Sequence, residues 1–472
     1  MLRLLLLLLS ALACANAVAA PAIGETCHLS GHSEPLRCVT IDVPLDPARA
    51  DAGTLPLHVT IAAAVREAAV ADPLFVLAGG PGQAGSDIVF LLDVAFARVR
   101  TTRDIVLIDQ RGTGRSGRLA CGDVAELDLA DEATIEARMR DCLAALDASL
   151  QHYSTANAAH DIDRVRAALG YDAINVWGGS YGTRLAQTYA RLYPQRVRAL
   201  ILDSVAAPEQ IIGLLGNDPQ QALEALFQRC ERESACAARY PWLRQAFAEL
   251  DARLREQTIE AAIRHPRSAE PQRLKVSHAR FVEAVRVSLY QPQFAARLPY
   301  LLDEASRNNW QPFASLLATQ ADFAGESMAM GMTLAVLCAE DLAHLTTAEI
   351  DAEAKASFLG GRFLDGLKRY CPQLPVTARA RPDTTTIAAP ALLLSGALDP
   401  VTPPSRADAA AAHMPLAQHV VVAHAGHGVS HLGCAPRLLR QFLDAPEQRL
   451  DASCLERLSL PPLMLGAAGP RP

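Results

Sequence analysis

Residues 36–65 alternate apolar and polar side chains, as in Leu55-Pro56-Leu57-His58-Val59-Thr60-Ile61. A period of two predicts an antiparallel strand pair at a sheet edge. The pattern then changes. Short continuous apolar runs appear at Leu74–Ala78, Ile105–Ile108, Ile174–Trp177 and Leu200–Leu202, with helical stretches such as Ala158–Leu169 between the later ones. Strands apolar on both faces, alternating with helices, predict a parallel sheet covered on both sides. Residues 207–385 are mostly helical in pattern, broken at Pro241, Pro266, Pro292 and Pro372. Strand-like runs return at Ala391–Leu394 and Val420–Val422, and a last helix is predicted over Pro436–Leu443. The expectation is one α/β domain (21–206 and 386–455) interrupted by a helical insertion (207–385). A tail follows from 456, and its Pro/Gly-rich end, Pro461–Pro472, reads as disordered.

The first twenty residues have the form of a secretory signal. Arg3 precedes the apolar run Leu4–Leu9, and Ala15, Ala17, Ala19 and Ala20 supply small residues for cleavage. Ala17-Val18-Ala19 favours cleavage after Ala19, and Pro21 disfavours it after Ala20. Lipid attachment at Cys14 is the rival, with Ala11-Leu12-Ala13 a poor lead-in. No later run reaches the ~18 uninterrupted apolar residues of a membrane span. The expected mature chain is therefore exported, to the periplasm or the medium. Its ten further cysteines are Cys27, Cys38, Cys121, Cys142, Cys230, Cys236, Cys338, Cys371, Cys434 and Cys454. They fall in order into five local pairs, and an even number in an exported chain points to disulfides. Connectivity stays open at this point. No C-x-x-C or H-E-x-x-H is present, so no metal and no cofactor is expected. The net charge of −7 is mild and without a basic cluster, which argues against nucleic acid as a partner. Oligomeric state is not readable.

Chemistry enters at Gly178-Gly179-Ser180-Tyr181-Gly182, a G-x-S-x-G between a strand-like and a helix-like run. Small residues flank a serine in this way where a strand turns sharply into a helix and exposes the hydroxyl, a nucleophile elbow. A tight turn whose serine only caps the helix is the ordinary alternative. A serine needs a base, and the base an orienting acid, in the chain order serine, acid, histidine. Asp399 follows the run Ala391–Leu394, in a loop beyond a strand's carboxyl end. His427 lies between glycines after Val420–Val422 and is the better base, with His424 as fallback. The oxyanion needs two backbone N–H donors, expected from Tyr181 and from Gly80 in Gly79-Gly80-Pro81-Gly82, since Pro81 has no N–H. Asp109 and Arg111 are expected to pair with each other beneath the site.

Together with Asp109-Gln110-Arg111-Gly112-Thr113-Gly114 and Gly396-Ala397-Leu398-Asp399-Pro400, these motifs resemble the secreted tripeptidyl aminopeptidase branch of the prolyl-aminopeptidase-like α/β hydrolases. The likeness runs from about residue 36 to 455 and includes Cys230-Glu231-Arg232-Glu233-Ser234-Ala235-Cys236 and Cys338-Ala339-Glu340-Asp341. Ala78 stands where prolyl aminopeptidases usually carry histidine. The resemblance implies an α/β-hydrolase fold, its mostly parallel twisted sheet flanked by helices and closed by an inserted helical cap. It also implies a serine exopeptidase acting on peptides with a free amino terminus. A cap carboxylate would then hold the substrate amine. Glu340 and Asp341 are the candidates, in a segment steadied by a possible Cys338–Cys371 bridge. An esterase or lipase on the same scaffold is the alternative, and an inactive binding protein a remoter one.

Overall fold

The computed structural model describes residues 24–66, 70–121, 129–381 and 383–470, so the leader lies outside the described residues. Eleven strands are described: β1 (Glu25–Cys27), β2 (Leu36–Asp46), β3 (Arg49–Ala62), β4 (Leu74–Leu77), β5 (Ile105–Ile108), β6 (Ile174–Gly179), β7 (Val197–Asp203), β8 (Ile259–Arg264), β9 (Pro271–Val276), β10 (Ala391–Gly396) and β11 (Ala417–Val422). Nine form one sheet in the order β1-β2-β3-β5-β4-β6-β7-β10-β11. The alternating segment supplies the antiparallel pair β2–β3, with β1 outside it, and every strand from β5 to β11 in that order pairs in parallel.

The apolar runs are continuous because both faces of the sheet are dry. Leu74 and Val76 point into one buried layer, Phe75 and Leu77 into the other. Helices α1 (Thr155–Ala168) and α2 (Tyr181–Leu192) cover the Phe75 side with Ile162, Val165, Leu185 and Tyr189. The opposite side is covered by α8 (Ala435–Asp444) through Leu438, Leu439 and Phe442, together with Phe96 and Val99. At about 25 cal/mol per Å² of apolar surface, this double burial is the main stabilising contribution to the sheet.

Between β7 and β10 run α3 (Asp218–Arg232), α4 (Leu243–Glu256), α5 (His278–Leu289), α6 (Leu298–Ser306) and α7 (Met330–Val336). The core of α3–α6 is separate from the sheet's, built around stacked Phe247, Phe281 and Phe313, while α7 packs through Met332 and Leu334 in a cluster that includes Tyr181. Two details depart from the sequence pattern. The segment is not wholly helical, because β8 and β9 form an antiparallel hairpin across the Pro266 break. Ala261 and Ala262 within β8 lack the β-branched signal that would announce a strand. The Pro/Gly-rich end is also not free. Leu463 is buried in the inserted core, Met464 N–H donates to the Ala296 carbonyl at 2.9 Å, and Arg229 reaches the Pro461 carbonyl at 2.6 Å. The apolar triplet Leu463-Met464-Leu465 drives that docking against the composition around it.

The ten cysteines form five disulfides between sequence neighbours: Cys27–Cys38, Cys121–Cys142, Cys230–Cys236, Cys338–Cys371 and Cys434–Cys454. Among the described residues, no helix is long and apolar enough to cross a membrane.

Candidate active site

Ser180 sits alone between β6 and α2 with φ 54° and ψ −124°. A non-glycine residue with positive φ is strained, and the strain persists only when neighbours fix it. Here the fixing is steric. A side chain at Gly182 would strike the Leu77 carbonyl, and one at Gly178 the Gly182 carbonyl. Only glycine at both places lets α2 cross the strand ends this closely. Thr183 N–H closes the turn onto the Ser180 carbonyl at 2.9 Å.

His427 Nδ1 and Asp399 Oδ2 lie 2.8 Å apart, and the Asp399 side chain is fully enclosed. Asp399 also accepts from Val401 N–H and Thr402 N–H, both at 2.9 Å, and from Thr402 Oγ1 at 2.8 Å. Burial would push this carboxyl up; the histidine and those donors outweigh it and hold it below the ordinary aspartate value. His427 shows the reciprocal balance. Burial disfavours its charge, but the Asp399 carboxylate prevails and raises it above the ordinary histidine value. His424, the fallback base, instead contacts the Leu458 carbonyl at 2.6 Å, away from Asp399.

One residue unread in the sequence joins these parts. Asp203, at the end of β7, accepts from Ser180 N–H through its carbonyl at 2.9 Å. Its carboxylate accepts from Val429 N–H at 2.8 Å and Ser430 N–H at 2.7 Å. The neighbouring Ser204, itself at φ 60°, accepts from Gly428 N–H at 2.7 Å. The serine elbow and the histidine loop are thus anchored to the same strand end. A strand-terminal Asp-Ser carries no motif that would have revealed this.

The Gly79–Gly82 loop packs against the elbow. A Cβ at Gly79 would lie 2.9 Å from the Gly179 carbonyl oxygen and 3.0 Å from Ser180 Cβ. Gly80 has φ 106°, a left-handed backbone that glycine adopts without a side-chain clash.

The inserted segment clamps the same loops. The Tyr290 carbonyl accepts from His427 N–H at 2.7 Å, Gln291 donates to the His427 carbonyl, and the Tyr290 and His427 rings lie 5.0 Å apart. A side chain at Gly426 would strike the Tyr290 carbonyl. Its glycine therefore admits the insertion's backbone rather than simply leaving the imidazole room. On α5, Arg286 donates to Tyr290 Oη at 2.6 Å and to Glu283 at 2.7 Å, making a charged chain that leads away from His427.

Two expectations meet a different environment. Glu340 and Asp341, the candidates for the substrate amine, are both buried and held by protein groups. Glu340 accepts from Thr155 N–H at 2.7 Å and Thr155 Oγ1 at 2.6 Å; Asp341 pairs with Arg184 at 3.0 Å and accepts from Ile212 N–H at 2.8 Å. Adjacent acids are usually solvated, and only the approach of α1 and α2 supplies these partners. Asp109 and Arg111 also do not pair with each other. Asp109 accepts from Ser86 and from Arg115 N–H, while Arg111 makes a bidentate bond to Asp161 at 2.7 and 2.8 Å. Among the described residues no group of three or more metal-ligating side chains converges.

A parallel sheet with a serine elbow and an Asp–His pair at its carboxyl edge is the architecture of one large class of enzymes. The chain belongs to the alpha/beta hydrolase fold family, whose sequence profile matches residues 72–433. Among curated relatives, it is 31% identical over 225 residues to the tripeptidyl aminopeptidase of Streptomyces coelicolor, covering 43% of this chain and 41% of that protein. It is 32% identical over 192 residues to the serine protease Hip1 of Mycobacterium tuberculosis, covering 36% of each. It is also 32% identical over 133 residues to the proline iminopeptidase of Neisseria gonorrhoeae, covering 28% of this chain and 32% of that one. The matches thus span about two fifths or less of these relatives' lengths. They agree with the resemblance carried by the motifs.

Proposed function

We propose that this protein is an exported serine exopeptidase that releases short peptides or amino acids from the amino termini of peptides. The observation that carries the reading is the 2.8 Å His427–Asp399 contact, anchored through Asp203 to the same strand end as Ser180. The peptidase assignment is supported by the relatives, and export by the five disulfides and the leader-like first twenty residues.

In this mechanism Asp399 holds His427 Nδ1–H and fixes the tautomer, so Nε2 is the basic nitrogen. Nε2 takes the Ser180 Oγ proton as Oγ attacks the scissile carbonyl. The oxyanion is stabilised by Gly80 N–H and Tyr181 N–H, groups preorganised by the packing of their loops. His427 returns the proton to the leaving amine, and water hydrolyses the acyl-enzyme by the same route.

The test compares fluorogenic peptides one to three residues long, with free and acetylated amino termini, on wild type and Ser180→Ala. Cleavage confined to free amines and lost in the variant supports the reading. Hydrolysis of short-chain esters through Ser180 with peptides left intact replaces it by an esterase.

A further inference from the structure

One continuous stretch of the insertion, 328–341, holds the loop that carries one backbone donor assigned to the oxyanion and, through Thr155, the side chain of the residue that carries the other. At its start, Ala329 N–H donates to the Gly82 carbonyl at 2.9 Å, and Thr333 Oγ1 donates to the Pro81 carbonyl at 2.6 Å. Those two carbonyls belong to the loop whose Gly80 offers one donor. At its end, Glu340 accepts from Thr155 Oγ1 at 2.6 Å, and that hydroxyl lies 2.7 Å from Tyr181 Oη. Tyr181 offers the other donor. Asp341 holds Arg184 at 3.0 Å, three residues further along α2 and so on the same face of its first turn.

Locally, the first turn of α2 is held through Thr183, whose N–H and hydroxyl both donate to the Ser180 carbonyl. Ser180 makes no side-chain cap, and its own conformation is strained. Tyr181 and Arg184 are almost wholly buried, pointing toward the insertion. The 337–341 turn is wound as a single π-turn, and π-turns frequently mark functional positions. It is anchored by the Cys338–Cys371 bridge and by Arg379 N–H donating to the Ala339 carbonyl at 2.8 Å.

We propose that Thr333 and Glu340 are positioning residues that set the spacing of the Gly80 and Tyr181 N–H donors, one from each side of Ser180. Neither residue touches substrate. Glu340 accepts from the Thr155 hydroxyl, which leaves Thr155 Oγ1 to accept from Tyr181 Oη and fixes the tyrosine at the head of α2. Thr333 restrains the opposite loop. The segment therefore acts as a spacer between the two halves of the oxyanion site, a role separate from peptide recognition. The proposal rests on the acyl-transfer reading of Ser180.

The experiment uses Glu340→Gln, Thr333→Val and Thr333→Ser in the full chain, with folding checked by circular dichroism and thermal melting. Turnover is measured on a free-amine tripeptide coumarylamide and on p-nitrophenyl acetate. Affinity for a peptide boronic acid, which mimics the tetrahedral state, is measured alongside. Loss of a donor's support is expected to lower kcat about tenfold in Glu340→Gln and Thr333→Val, well short of losing the donor outright. KM should stay within about twofold, and boronate affinity should fall in parallel with kcat because only tetrahedral-state binding is affected. Thr333→Ser, which keeps the hydroxyl, should restore most of the rate. If Glu340→Gln does not fold, Thr333→Val and Thr333→Ser carry the comparison. Folded variants with unchanged kcat, or with changed KM alone, overturn the proposal while fluorophosphonate labelling of wild-type Ser180 keeps the acyl-transfer reading intact. A wild type that neither labels nor turns over either substrate overturns both.

Discussion

Asp399 and Glu340 are both buried carboxylates one residue removed from the nucleophile's surroundings, yet their environments treat charge oppositely. Asp399 has an imidazole, two backbone N–H groups and a hydroxyl, and together these overcome burial and lower it. Glu340 receives only the N–H and hydroxyl of Thr155, with Arg184 acting from further off, and burial leaves it raised. Asp341 is raised too, since Arg184 and Ile212 N–H offset only part of its desolvation. The count and charge of the partners therefore decide in which direction each buried acid is shifted. In the proposed mechanism Asp399 stabilises a positive imidazole, whereas the 340–341 pair joins two elements.

The sharpest way to break that contrast is to neutralise each acid in turn. Asp399→Asn should reduce kcat by about 10⁴ with the fold retained, because the amide no longer holds the productive tautomer. Steady-state kinetics beside a melting curve checks this. Asp341→Asn should act mainly on stability. Removing one member of a buried pair leaves Arg184 uncompensated and costs about 3 kcal/mol, read from the urea midpoint. If Asp341→Asn impaired turnover at unchanged stability, the division between chemical and architectural acids would fail.

A third variant tests the clamp on the histidine side. Gly426→Ala forces a methyl group against the Tyr290 carbonyl and should cost about 1–3 kcal/mol, with reduced kcat as the His427 loop is displaced. The same methyl at half-buried Gly466, where nothing lies within 4 Å, is the control.

The smallest effect is a shift in pH dependence. A base must be neutral, and a raised His427 stays protonated to higher pH. The acid limb of kcat/KM should therefore have its midpoint above 6.5, with activity lost as pH falls through it. A midpoint below 6.5 would mean that burial, rather than Asp399, governs the imidazole.

The strand segments, the sharp turn at Ser180 and the strand-end loops that carry Asp399 and His427 were legible because each is written locally. A dry strand gives a continuous apolar run, and a sharp strand-to-helix turn demands small residues around Ser180. What escaped depends on which elements meet. Asp203 is an ordinary strand-end acid until the 428–430 loop folds over it. The burial of Glu340 and Asp341 requires α1 and α2, distant in sequence. Arg111 finds Asp161 rather than Asp109 because its side chain reaches α1, a direction the Asp-Gln-Arg spacing does not encode. Residues 461–465 were misread because composition outweighed three apolar side chains whose pocket lies more than a hundred residues away in the chain.

That terminal segment changes the mechanical character of the molecule. The insertion is joined to the sheet by its entry and exit strands, and the chain then leaves the sheet after α8 to dock on the insertion again through Leu463 and Met464. Lid and base are thus laced from a third direction, and the last lace is noncovalent and at the surface. Its release would remove the buried Leu463 side chain and the Met464–Ala296 hydrogen bond from the insertion while leaving Ser180, Asp399 and His427 in place.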